Sequence, residues 1–240
     1  MPYYYVTLSV GLVVSVVFLF FRARGTSIQN LFFKIVSSLC YLLTMVFAFN
    51  ANPHNYPAYG SLLIMGGILG LCGDIALDLK YIYPQDANSY LKAGFLFFLV
   101  GHIFYSGAVI YHNRFKWWWV LICVVIAVAI ACTTVFSANI MKVHYGKYRK
   151  VVLAYVVFLT LTTVVSIFAA FVTKEKAMIV MAVGSVLFTL SDIVLNFTYF
   201  SRGWDKPFHL FLNHFLYYAG QYLIAASIIL DRKSVVRERV

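Results

Sequence analysis

Two short motifs each place an aspartate deep inside apolar sequence, Gly73-Asp74-Ile75-Ala76-Leu77-Asp78 and Ser191-Asp192-Ile193-Val194-Leu195-Asn196. A carboxylate at membrane depth costs about 2.5–3.5 kcal/mol on insertion scales, so a matched pair needs a cause. Two carboxyl groups in one apolar site resist carrying two negative charges, which divides them into a proton donor and a carboxylate. That division is the basis of paired general acid and base catalysis. Two other readings stand beside it: polar groups that hold helices together, and acids on a proton-coupled transport path.

Other polar groups recur at similar depth, in Gly101-His102-Ile103-Phe104-Tyr105-Ser106, Asn213-His214 and Tyr217-Tyr218-Ala219-Gly220-Gln221. Asp78 and Asn196 follow the two aspartates by one turn, on the same helical faces. Asp74 and Asp192 are the catalytic candidates. His102, Tyr105, Asp78, Asn196, Tyr217, Tyr218 and Gln221 are expected to line a wet pocket around them, with Tyr155 entering from the same side. Taken singly, His102 is more often a packing histidine, a balance its polar company evens, and Tyr217 and Tyr218 could be ordinary filler among 18 tyrosines. Gly101, Gly184, Ser185 and Gly220 equally serve close helix contact.

The elements that carry these residues follow from composition. Of 240 residues, 62% are hydrophobic and 11% charged, against about 25% charged in a soluble domain. Long apolar runs without two-residue alternation predict membrane-spanning α-helices rather than a barrel. The fold class is therefore all-α, a polytopic membrane helical bundle. Eight spans are predicted, at about 3–21, 31–49, 60–79, 91–111, 117–136, 150–172, 177–200 and 208–230. Residues 1–230 form one membrane domain and 231–240 a short basic tail. The first run lacks a basic leader and a small-residue cleavage site, and Arg22 and Arg24 follow it, as in a retained helix.

The aspartates fall on the third and seventh spans, each the third of a four-helix half. Four helices return the chain to its starting side, so the halves are expected to be parallel and related by an axis along the membrane normal. Each aspartate lies about four turns into its span, which puts both at one depth. The turns after spans one, three, five and seven define side A. It carries most of the lysines and arginines behind the net charge of +11 and is the better cytosolic candidate, with the basic tail opposing. Cys40, Cys72, Cys123 and Cys132 read as small apolar residues. His54, His112 and His144 fall in predicted turns, and no metal-binding histidine pair, nucleophile elbow, phosphate loop, dinucleotide fingerprint or nucleic-acid motif occurs.

The ordered set Gly73-Asp74, Gly101-His102-x-x-Tyr105, Leu187-Phe188-x-x-Ser191-Asp192-x-x-Leu195 and Tyr217-Tyr218-x-x-Gln221 resembles the YhhN family of membrane proteins. The likeness covers nearly the whole chain. Gly220 stands where alanine is expected, and span six lacks a proline near Tyr155. Animal members act as lysoplasmalogenases, so the resemblance implies a hydrolase that cleaves the vinyl ether bond of a lysoplasmalogen, a lysophospholipid, into a fatty aldehyde and a glycerophospho-head group. No cofactor and no metal are implied, and the partners would be this substrate and membrane lipids. The location would be multi-pass in a membrane, with a bacterial cell membrane favoured over the endoplasmic reticulum.

The residues suit that reaction. A vinyl ether is hydrolysed by protonating its β-carbon, which leaves an oxocarbenium ion that water captures, much as in glycosidic cleavage. One aspartate would donate the proton and the other guide the water. Lys80, Lys92 or Arg202, at the side-A rim, could meet the phosphate.

Overall fold

Apolar runs longer than about 20 residues leave the backbone no partner but itself, and each expected span folds as one α-helix. The computed structural model describes residues 2–22, 24–51 and 57–231. Its helices are α1 (Tyr3–Arg22), α2 (Ser27–Ala51), α3 (Pro57–Ile82), α4 (Ala87–Asn113), α5 (Trp117–Phe136), α6 (Arg149–Thr173), α7 (Lys176–Phe200) and α8 (Pro207–Leu230). The expected tail after Asp231 lies outside the described residues, as does His54.

Local sequence sets the ends. Pro57 and Pro207 open helices where an amide donor is dispensable. Arg114 and Lys174 close α4 and α6 in the left-handed conformation, with φ of 48° and 54°. His112, expected in a turn, instead belongs to the last turn of α4 and is buried.

Among the described residues seven helices are long and apolar enough to cross a membrane by themselves, and the chain is an integral, multi-pass membrane protein. The eighth, α8, has the length, 24 residues. Its hydropathy is lowered by Asn213, His214, Tyr217, Tyr218, Gln221 and Tyr222, all of which are buried. It is sheltered between α7 on one side and α2 on the other.

The packing forms a ring in the order α2–α3–α4–α6–α7–α8 and back to α2, with α1 outside against α2 and α8, and α5 outside against α6. Exchanging α1–α4 with α5–α8 maps the main contacts onto one another. The pairs α1–α2, α2–α3, α3–α4 and α2–α8 become α5–α6, α6–α7, α7–α8 and α6–α4, all of which are packed. This is the arrangement expected of two parallel four-helix halves.

Matched glycines lock the two tight pairs. A Cβ on Gly101 would lie 3.2 Å from the carbonyl oxygen of Gly66, joining α3 to α4. A Cβ on Gly220 would lie 2.8 Å from that of Gly184, joining α7 to α8. Such backbone-to-backbone approach is how helices associate where lipid supplies no hydrophobic drive. It also explains Gly220, since an alanine there requires α7 and α8 to move apart. Asp74 lies eight residues after Gly66, and Asp192 eight after Gly184.

Candidate active site

Two helices that start on the same side and carry an acid at the same distance from a glycine crossing bring those acids to one level. Asp74 on α3 and Asp192 on α7 line the same cleft. Leu77 and Leu195, each one turn further along, wall it, and Phe98 of α4 faces Tyr217 of α8 across it. Phe98 and Tyr217 hold equivalent places, each three residues before the crossing glycines Gly101 and Gly220. The cleft therefore lies where the two halves meet. With its open mouth counted it spans about 330 Å³, and inside it narrows to space for about one or two waters.

The two acids have unlike surroundings. Asp74 is 2% exposed and accepts hydrogen bonds on Oδ2 from Ser38 Oγ at 2.6 Å and Tyr217 OH at 2.7 Å. Its Oδ1 lies 3.3 Å from Lys34 Nζ. A relay stands behind Tyr217: Gln221 Nε2 donates to its hydroxyl at 3.4 Å, and Tyr105 OH donates to Gln221 Oε1 at 3.0 Å. Tyr218 OH bonds Ser38 Oγ at 3.2 Å and donates to the carbonyl of Lys34.

Asp192 receives the hydroxyl of Tyr155 on Oδ2 and that of Ser191 on Oδ1 at 3.4 Å. Among the described residues no cation lies within 4.0 Å of it. Phe98, the counterpart of Tyr217 in the first half, has no hydroxyl to offer Asp192. Asn213 donates to the carbonyl of Ser191 at 2.8 Å, so it braces the α7 backbone. His214 lines the cleft with Nδ1 held at 2.7 Å from the carbonyl of Leu210. A carbonyl only accepts, so Nδ1 carries the hydrogen and Nε2 of the neutral ring is the acceptor.

The structure redraws the expected pocket lining. Of the seven expected binding residues only Tyr217 walls the cleft; Tyr218, Gln221 and Tyr105 support it from behind. Asp78 is committed elsewhere: it takes two bonds from Arg22, at 2.7 and 3.1 Å, and lies 3.3 Å from Lys34 Nζ. Asn196 faces Tyr145 in the connection before α6. His102 does not reach the cleft. Its Nδ1 meets Thr162 Oγ1 at 3.3 Å, and its ring packs edge-on against Phe188, 4.7 Å between centroids. The lysine that bridges Asp74 and Asp78 was not among the expected site residues. Lys34 is buried and contacts Asp74 and Asp78 together. Its signal was present, because a lysine inside the 31–49 span is as costly as an aspartate.

The four charges Arg22, Asp78, Lys34 and Asp74 form a chain of alternating sign that ends at the cleft, and paired charges are the form in which ionised groups are tolerated at this depth. Helices α3 and α7 run unbroken through their aspartates. Among the described residues no three His, Cys, Asp or Glu side chains group as metal ligands.

No curated protein and no solved structure matches the chain. The model of the YhhN family matches residues 29–228, a stretch that begins in the first turn of α2 and ends in the last of α8. It takes in the cleft and every residue described around it except Arg22. By that match the chain belongs to the YhhN family.

Proposed function

We propose that the chain is a membrane-embedded hydrolase that cleaves the vinyl ether bond of a lysophospholipid, with Asp192 as acid and Asp74 as base. One observation carries the reading: two carboxyl groups line one cleft, one of them paired with a lysine and two hydroxyls, the other without a cation. A carboxylate with a cation and two donors is held as the anion, whereas a carboxyl without one in apolar surroundings keeps its proton.

In the cycle, Asp192 gives its proton to the β-carbon, whose new C–H bond takes the π electrons and leaves an oxocarbenium ion. Asp74 faces that cation and takes a proton from the water that adds to the α-carbon, giving a hemiacetal. Asp74 then returns the proton to the departing glycerol oxygen as the C–O bond breaks. Asp192 recovers the hydroxyl proton as the aldehyde forms, and both acids regain their starting states. Tyr217 orients Asp74 and the water, and Tyr155 holds Asp192. Unbroken α3 and α7 favour this reading over a transporter, whose sites sit at broken helices.

The test is aldehyde release from a lysoplasmalogen by purified protein in detergent. Asp74→Asn and Asp192→Asn should each lower turnover by about 100-fold or more, the usual worth of a proton-transferring group. Wild-type turnover in both variants would remove the acid pair from the mechanism. Cleavage of an ester or amide lipid in place of the vinyl ether would overturn the substrate alone.

A further inference from the structure

Two of the cations near the cleft already have partners: Arg22 pairs with Asp78, and Lys34 with Asp78 and Asp74. A third, Lys80, lies in the last turn of α3, six residues beyond Asp74 and about 9 Å along the axis toward side A. Its Nζ stands 3.3 Å from the ring centroid of Tyr199 and 4.7 Å from that of Tyr81. Tyr199 belongs to α7 and lines the cleft. The ammonium therefore reaches from α3 to α7 at the mouth, and among the described residues no carboxylate lies within 4.0 Å of it.

The charges around the mouth do not cancel. Arg22, Lys34 and Lys80 face Asp74 and Asp78, and Asp192 carries its proton at the start of the proposed cycle. One positive charge is left over, and it is the one held by aromatic faces, an interaction of moderate strength that a better partner displaces. The second half has Thr198 at the position equivalent to Lys80, so the surplus sits on one side only. The other rim cations, Lys92 and Arg202, are exposed to the surroundings.

We propose that Lys80 recognises the phosphodiester of a lysophospholipid: its ammonium leaves the face of Tyr199 for a phosphate oxygen and sets the distance from head group to the acids. This deepens the reading of the cleft as a lysolipid site and rests on it. A phosphodiester carries the single negative charge that the mouth lacks. The separation along α3 from Lys80 to Asp74 suits a glycerol phosphate extended by a lysine arm. Lys80 is thus a specificity-determining residue that fixes the register of the ether bond against Asp74 and Asp192.

The test uses binding, so it does not depend on turnover. The full-length protein in detergent is titrated with a saturated 1-O-alkyl-glycerophosphocholine and with the 1-O-alkylglycerol of the same chain length. The ratio of the two affinities isolates the phosphocholine head group, and its dependence on Lys80 isolates the phosphate, because an ammonium does not attract the choline. In Lys80→Gln that ratio should fall about 10- to 100-fold, the worth of a charge-assisted contact. Lys80→Arg should keep most of it, and Lys92→Gln should leave it as in the wild type. An unchanged ratio in Lys80→Gln, an equal fall in Lys92→Gln, or a wild-type ratio near one would each overturn the proposal. Glycerophosphocholine without a chain, competing as well as the lysolipid, would assign the site to a soluble phosphoester and overturn the lipid assignment. A Lys80-dependent ratio in a protein that releases no aldehyde would instead sink the vinyl ether reaction and leave the phosphate site standing.

Discussion

Tyr217 donates a 2.7 Å hydrogen bond to Oδ2 of Asp74, from the place that Phe98 occupies in the other half of the molecule. Two similar halves thus meet around one cleft, and of these two matched aromatics only Tyr217 carries a hydroxyl. Each acid accepts two hydroxyls, but among the described residues only Asp74 also meets a cation, Lys34. The difference in role proposed for the two acids grows from this break in symmetry.

Removing the hydroxyl should therefore act on chemistry more than on folding. Tyr217→Phe keeps the ring that packs against Phe98 and Phe188. Its turnover should fall about 10- to 100-fold, the worth of a hydrogen bond to a charged group. Aldehyde release and a thermal unfolding curve measured on the same sample check this. A drop in melting temperature that accounts for the lost activity would show the bond to be structural.

Lys34 should be worth more to stability than any other charge in the bundle, because it serves two carboxylates at 3.3 Å each. Lys34→Met strands Asp74, leaves Asp78 to Arg22 alone, and should cost about 3–5 kcal/mol, as when one member of a buried ion pair is lost. Adding Asp74→Asn removes the stranded charge, so the double variant should be more stable than Lys34→Met alone. Thermal unfolding in detergent reads the order, and the reverse order would mean that Asp74 does not depend on Lys34 for its charge.

The glycine crossing beneath Asp192 predicts a purely steric effect. Gly220→Ala puts a methyl 2.8 Å from a backbone carbonyl that no rotamer can move. The cost should be about 1–3 kcal/mol, typical of overpacking, with α8 and Tyr217 displaced from α7. Melting temperature and turnover should fall together. An unchanged melting temperature would place α7 and α8 further apart than described.

His102 offers the sharpest contrast between motif and geometry. It sits behind Phe188 with Nδ1 turned to Thr162, so it touches neither the cleft nor the acids. His102→Asn should lower the melting temperature but fall far short of the 100-fold or greater loss expected for a proton-transferring group. A loss of that size at an unchanged melting temperature would return His102 to the chemistry.

Much of the architecture was legible in the residue order, for physical reasons that particular residues illustrate. Apolar run length set the eight helices, because a membrane admits few other solutions for the backbone. A constant rise per residue set the shared depth of Asp74 and Asp192. Rise says nothing of azimuth. Asp78 and Asn196 hold equivalent depths, yet one is locked between Arg22 and Lys34 and the other turns to Tyr145.

Which side chains meet depends on which helices are neighbours, and that is decided by packing between segments far apart in the chain. Lys34 and Asp74 are forty residues apart in sequence and 3.3 Å apart in space. Tyr217 and Asp74 are joined only because α8 closes the ring beside α3 and α2. Residue order alone sets a bundle with two acids at one level. Packing between distant segments puts those acids in one cleft and gives a lysine to one of them and not to the other, because helix neighbours and not helix periods choose the partners of a buried charge.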